Sequence, residues 1–367
     1  MILPRQELKK MISGAHPVII SRGSAISEDQ IQPASVDCRF GDTVYRMATA
    51  MTPRSGETVR MLIQKYAQEE YELREGMVLK QGECYLIPLQ ESLQLPLEFH
   101  AVFSPKSSTG RMDVFVRVIS DGNPQYDAVP AGYTGELWLE VAPLTFSVGI
   151  APGLSLTQMR IRSVTQPVAL SGDALRLAHT EFGLVYENNG TPIREASIKN
   201  DSLYLHADLS SRARVGFRAR TGVTQPVDLF RKHYYDVNDF WDPIERPENG
   251  ELILAPGEFY LLASKERVRI PAPYAGEVVT YDISSGEFRT HYAGFFDNGF
   301  GGTQGTNAVL EVRAHDVPFR LCDDQPICRM VFEETMGIPE KMYGADLGSH
   351  YTGAGPLLSK HFKKIDW

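Results

Sequence analysis

Short apolar runs alternating with polar positions dominate the chain, as in ELWLEV (Glu136–Val141) and GEVVTYD (Gly276–Asp282), and turn residues bound most of them. A period of two sends successive side chains to opposite faces of a strand, and 31 Gly with 23 Pro supply the turns. The pattern predicts a mainly β protein, mostly antiparallel, with many tight turns and few helices. Arg5–Ile12 is one predicted helix, with Leu8, Met11 and Ile12 on one side. The polar section Thr52–Glu75 has room for another.

The same pattern occurs twice. LKQGECYLIPLQESLQLP (Leu79–Pro96) aligns without a gap on LAPGEFYLLASKERVRIP (Leu254–Pro271). Further on, GELWLEVAP (Gly135–Pro143) answers NAVLEVRAH (Asn307–His315), and SLTQMRI (Ser155–Ile161) answers PICRMVF (Pro326–Phe332). Three echoes in one order argue for a duplicated module of roughly 160 residues. Module one is expected over 1–168, module two over 172–335, and a tail over 336–367, with the junction in QPVALSGDA (Gln166–Ala174). Gly172 and Asp173 read as ordinary turn residues there.

Composition narrows the class. The chain has 367 residues, 43% hydrophobic and 23% charged, enough for two domains of ordinary globular character. A net charge of -9 with no basic tail lacks the electrostatic footprint of a nucleic-acid binder. No apolar run reaches the length of a membrane span, and the N-terminus does not read as a signal peptide. Cys38, Cys84, Cys322 and Cys328 form neither a CxxC pair nor a dense framework, which fits reduced thiols in a cytoplasmic protein. His179-Thr180-Glu181 has the HxE form of a zinc deaminase, but its PCxxC partner is absent. The chain also lacks GxxxxGK[ST], GxGxxG after a strand, and GxSxG.

Two stretches carry candidate chemistry. SPKSSTGR (Ser104–Arg111) sits between two strand-like segments and offers two cations and paired hydroxyls, a kit suited to phosphates but also common in turns. In GYTGELWLE (Gly132–Glu140), Glu136, Trp138 and Glu140 share one side of a strand, and Leu137, Leu139 and Val141 take the other. A carboxylate set among Trp and Leu would have its pKa raised by burial, toward the range that suits proton transfer.

Together these stretches resemble the dCTP deaminases of the trimeric dUTPase-like family, in their double-length bacterial form. PKSSTGR matches a motif close to GRSSLAR, and GYTGELWLE matches the end of an A-x-x-x-D-P-G-[WY]-x-G-x-x-x-x-E run. Ser35–Gly41 (SVDCRFG) matches a SVD-x-RLG segment, both modules echo PGEF-x-L-A-x-T-x-E-x-V-x-LP, and HYTGAGPLLSK (His350–Lys360) is similar to a nucleotide-covering tail. The resemblance implies two tandem dUTPase-like distorted β-barrels of jelly-roll type and metal-free attack of water on C4 of cytosine. It implies a Glu proton shuttle at Glu140, with Ser107 and Arg111 near the base and the catalytic water. Lys106, Ser108 and Gln158 would hold phosphates, Tyr351 and Lys360 would belong to the lid, and Mg2+ would come only with the triphosphate. It also implies a homo-oligomer, a trimer or one with trimer-like packing, that takes dCTP as its small-molecule substrate.

Each module departs from the motif. In module one Asp127 is separated from Gly132 by AVPA, and counting from the serines puts Ser120 where the family has Ala. Module two has Ala293 and Asp297 in AGFFDNGFGG, but Glu311 lies four residues farther along than the motif places it. Family sites form between neighbouring modules, which leaves two arrangements. One uses copies of module one, with Glu140 as the base, and is the arrangement expected here. The other is composite, with Lys106–Arg111 from module one and Ala293, Asp297 and Glu311 from module two. Two other functions share this fold: a dUTP diphosphatase or bifunctional enzyme, with Asp127 or Asp297 activating water, and a non-enzymatic nucleotide sensor.

Overall fold

The computed structural model describes all residues except 166–168, 280–287, 291–293, 315, 348–357 and 366–367. The chain divides into two compact units, 1–168 with 224–232 and 335–340, and 169–223 with 233–334 and 341–367. They are called modules one and two below.

The strands of module one used here are β1 (Val36–Cys38), β2 (Thr43–Met47), β3 (Ala67–Glu72), β4 (Cys84–Gln94), β5 (Phe99–Pro105), β6 (Val114–Ser120), β7 (Ala128–Val129), β8 (Thr134–Pro143) and β9 (Thr157–Ser163). They form a sheet of order β3-β2-β4-β8-β6 and a second of order β1-β9-β5-β7. Module two repeats the plan with β10 (Ser202–His206), β11 (Arg214–Ala219), β12 (Trp241–Glu245), β13 (Phe259–Val268), β14 (Tyr274–Val279), β15 (Phe288–Thr290), β16 (Phe295–Phe296), β17 (Thr306–Ala314) and β18 (Pro326–Glu334). Its sheets contain the orders β12-β11-β13-β17-β15 and β10-β18-β14-β16, so each strand has its counterpart in the same place. In both modules the sheets pair antiparallel and their inward positions are apolar, as the alternation predicts.

The helices are short. α1 (Arg5–Ser13) covers the first predicted segment and buries Leu8. Within the polar section, α2 (Val59–Tyr66) starts where the Thr58 side chain accepts from the Met61 N–H. It buries Val59 and Leu62, three residues apart on one face. α3 (Ser107–Gly110) is a single turn. α4 (Gly172–Phe182) corrects the reading of Gly172 and Asp173 as turn residues, since they open this helix. Ser171 caps it by accepting from the Ala174 N–H, Asp173 lies in its first turn, and Leu175 and Ala178 are buried. Gly183, at φ 66°, ends it in a conformation that favours glycine. Among the described residues no helix is long and apolar enough to cross a membrane.

Candidate active site

SPKSSTGR is a helical turn rather than an open loop. Pro105 ends β5, and the Lys106 carbonyl accepts from the Thr109 and Gly110 N–H groups at 2.8 and 3.1 Å. The Arg111 N–H reaches the Ser107 carbonyl at 3.1 Å. One turn brings residues four apart together, so Arg111 Nε donates to Ser107 Oγ at 3.1 Å. The Ser107 residue is exposed, whereas Ser108 and Arg111 are buried. Asp113, at φ 53°, turns the chain into β6. Lys106 ion-pairs with Asp37 on β1. Gln158 on β9 lies in register between Asp37 and Ser104, and its Nε2 donates to the Pro105 carbonyl at 3.4 Å. Lys106, Asp37 and Gln158 therefore gather beside the turn. In the sequence Asp37 is distinguished only as part of SVDCRFG. An acid paired with the motif's Lys by a neighbouring strand leaves no spacing signal.

Glu140 lies on β8, in the other sheet. Its residue is only 3% exposed. As the alternation predicts, Glu136, Trp138 and Glu140 share a face, and Leu137, Leu139 and Val141 fill the other side. Met51 N–H donates to Glu140 Oε2 at 3.0 Å, and the Tyr126 hydroxyl spans both carboxylate oxygens at 3.2 and 3.5 Å. Burial raises the Glu140 carboxyl above its ordinary value, against the lowering effect of these two donors. Burial also raises the Tyr126 phenol, and it pushes the Cys84 thiol up to about 12. Glu136 is held low by Arg60 and Arg22. Asp127, at φ 57°, pairs with Arg117 at 2.6 Å and accepts from the Val118 N–H, while burial raises its carboxyl. Ser120 is fully buried and accepts from Asn123 Nδ2 at 3.2 Å.

Register shows which residues of module two stand where these do. Tyr85 and Tyr260 make the same bonds: each hydroxyl donates to a Glu two residues earlier at 2.6 Å and accepts a backbone N–H at 3.0 or 2.9 Å. Val141 lies opposite Tyr85 and Val312 opposite Tyr260, so Glu140 and Glu311 occupy the same place, opposite Leu86 and Leu261. The four-residue displacement of Glu311 is absorbed before β17, in a turn where Gly301, Gly302 and Gly305 all have positive φ. Glu311 is buried.

The turns align too. Tyr133 and Phe300 accept from Leu95 and Ile270 at 2.8 and 2.9 Å. Asp127 and Gly294 accept from Phe103 and Val278 at 2.9 and 3.0 Å. The place of Asp297 is thus held in module one by Pro130, not Asp127. Counting back from there puts Tyr126, not Ser120, at the place of Ala293. Asp297 is buried, and Ala293 and Tyr351 lie outside the described residues. Counting along the sequence misses these matches because module one carries extra residues between the serines and the turn.

Lys360 belongs to an anchored segment. Its carbonyl accepts from His233 N–H at 2.9 Å, and the His361 carbonyl accepts from Tyr234 and Tyr235. The Phe362 ring is buried against Phe240 and Trp241, with centroids 5.5 and 5.9 Å apart. His179 is equally structural. It accepts from the Leu184 N–H at 3.1 Å through Nδ1 and meets the Ile193 carbonyl at 2.9 Å through Nε2.

Comparison with known proteins agrees with this duplicated plan. The family model of the 2′-deoxycytidine 5′-triphosphate deaminase N-terminal domain matches residues 1–165, and that of the C-terminal domain matches residues 171–362. A dCTP deaminase of Natronomonas pharaonis is 29% identical over 142 residues, 38% of this chain and 70% of that protein. A protein of Methanosphaera stadtmanae named "dCTP deaminase, dUMP-forming" is 32% identical over 150 residues, 39% of this chain and 73% of its own. The crystal structure of the 2′-deoxycytidine 5′-triphosphate deaminase from Agrobacterium tumefaciens superimposes with a TM-score of 0.86 at 38% identity, covering 95% of this chain and 99% of that one. With both halves matched in order and a full-length structural relative at this identity, the chain belongs to the 2′-deoxycytidine 5′-triphosphate deaminase family.

Proposed function

We propose that the chain deaminates dCTP to dUTP and ammonia with Glu311 as the proton carrier and the Lys106–Arg111 turn as the substrate cradle, in a site completed by association of subunits. The observation that carries the choice of Glu311 is the register of β17. It gives Glu311 the strand position of Glu140 and leaves Ala293 and Asp297 upstream, where module one has Tyr126 and Pro130. Glu140 has hydrogen bonds from the Met51 N–H and the Tyr126 hydroxyl.

The reaction needs one carboxylate that takes up and returns a proton twice. Glu311 takes a proton from water as its oxygen adds to C4 and passes that proton to N3; it then takes the proton of the new C4 hydroxyl and gives it to the amine, so that the C4–N bond breaks and ammonia leaves as the carbonyl forms. Ser107, exposed and tied to Arg111, presents a hydroxyl in a fixed direction toward the water and base. Lys106, Ser108 and Gln158 serve the phosphates, and Asp37 holds Lys106 in place until they arrive. Mg2+ enters with the triphosphate as part of the substrate.

The test is a pair of variants assayed for ammonia release. Glu311→Gln should lose about 10²–10⁴-fold in turnover, the range for a general acid–base group, with dCTP binding retained. Glu140→Gln should keep most of its activity. The reverse result overturns the choice of carboxylate.

A second reading concerns the product. Relatives named "dCTP deaminase, dUMP-forming" favour a chain that also hydrolyses the triphosphate. Chromatography separates the two readings: dUTP alone, or dUMP with pyrophosphate.

A further inference from the structure

We infer that Tyr126 is a built-in occupant of a vestigial nucleobase pocket in module one, so that duplication left one pyrimidine site per chain instead of two. The inference rests on the reading that Glu311 is the working carboxylate, since it takes module one's counterpart of that pocket as its subject.

The pocket is identified by the carboxylate at its floor. Glu140 stands at the register position of Glu311, and the residue facing it from the preceding segment is Tyr126. In module two the matching position is Ala293, whose side chain ends at Cβ. A tyrosine there adds an aromatic ring and a hydroxyl. The ring packs against the apolar group of Met47, Val59, Leu86, Ile119 and Trp138. The hydroxyl donates to both Glu140 oxygens. An aromatic ring bearing a donor, directed at a buried carboxylate, is also a description of a cytosine ring offering its 4-amino group. Met51 N–H closes the remaining approach to Oε2. The change at Pro130 removes the carboxylate that module two keeps at Asp297. Tyr126, Pro130 and the Met51 contact thus all point the same way: the space is filled and satisfied by the chain itself.

A filled pocket makes a chemical prediction. Removing the ring without refilling the space leaves a cavity with a polar floor, and a small planar donor should enter it. The probes are phenol, which restores the lost atoms, and free cytosine. Tyr126→Ala should have a lowered thermal midpoint, and both probes should raise it saturably and by more than they raise the wild-type midpoint. Tyr126→Ala/Glu140→Leu should lose the response to cytosine, which needs the acceptor. If neither probe stabilises Tyr126→Ala, the pocket reading is wrong.

Stoichiometry provides the measurement that does not depend on a folded variant. Equilibrium dialysis of wild-type chain with α,β-imido dUTP should saturate at one nucleotide per chain, and two per chain would overturn the inference. The count is independent of the carboxylate assignment. If Glu311→Gln is inactive and two nucleotides bind, only the plug fails. If Glu311→Gln stays active, the choice of carboxylate fails whatever the count.

Discussion

Module one ties down its strand carboxylate, and module two keeps the motif around its own. Glu140 is bonded by Met51 and Tyr126, with Pro130 at the turn; Glu311 sits at the same register with Ala293 and Asp297 upstream. The difference runs through the scaffold as well. In module one, Arg39 grips Glu91 through its backbone N–H at 2.6 Å and its Nε at 2.9 Å, with both side chains nearly inaccessible. In module two, His206 grips Glu266 through its backbone N–H at 2.9 Å and its Nδ1 at 2.5 Å, at the matching place on β10 and β13. A duplicated fold needs each sheet, each register and a partner for each buried charge. It needs only one copy of a reacting group. Backbone pairing is therefore repeated strand for strand, while the side chains at the sites have diverged.

The largest expected effect that would break this comparison is on turnover. Beyond the Glu311 and Glu140 variants, Arg111→Lys should fail almost as severely as Arg111→Ala. A planar guanidinium holds Ser107 through Nε in one fixed direction, which a flexible ammonium cannot reproduce. Lys106→Arg should be milder, since an ion pair with Asp37 asks only for a cation. Steady-state rates with dCTP for the variants decide it, and equal mild losses at both positions would remove the turn from the site.

Next come the scaffold pairs. Glu91→Ala leaves the Arg39 guanidinium buried and unpartnered by Glu91, and breaking such a pair costs about 3–5 kcal/mol. Glu266→Ala should cost less, because His206 can deprotonate. Urea unfolding of the two variants should rank them in that order. Phe362→Ala should also destabilise, by about 3–5 kcal/mol, through loss of a buried ring from the Phe240 and Trp241 cluster. Thermal unfolding checks it, and an unchanged midpoint would mean that the end of the chain is not an anchor.

The smallest effect is in pH. The His206 ring has its pKa raised above the ordinary value, chiefly by its hydrogen bond to Glu266. A raised folded pKa means the pair's stabilisation is fully present below the unfolded value of about 6.5 and is lost as pH rises through the folded one. Stability should therefore decline through that window in wild type, and the decline should be shallower in His206→Gln. The Glu140 carboxyl, raised by burial, behaves with the same sign at lower pH. Its environment opposes ionisation, so stability falls as pH rises past its ordinary value, and Glu140→Gln should flatten that slope. A profile unchanged by either substitution would mean that neither group is coupled to folding.

Period-two alternation and turn residues determined the β class and the main strands without any tertiary information, because strand faces depend on neighbours two apart. The duplication was legible for the same reason, as were the SSxxR turn and the Glu at the end of GYTGELWLE. α4 was missed because Gly172 and Asp173 are turn formers by type, and only the Ser171 cap and the burial of Leu175 and Ala178 make them a helix start. The choice between Glu140 and Glu311 was beyond sequence counting. An insertion in a turn shifts every later number but no strand register. Hydrogen-bonded pairing to Tyr85 and Tyr260 restored the match, and it identified Tyr126 as the side chain facing Glu140. What surrounds a carboxylate is set by residues distant in sequence that only the packed sheets bring together.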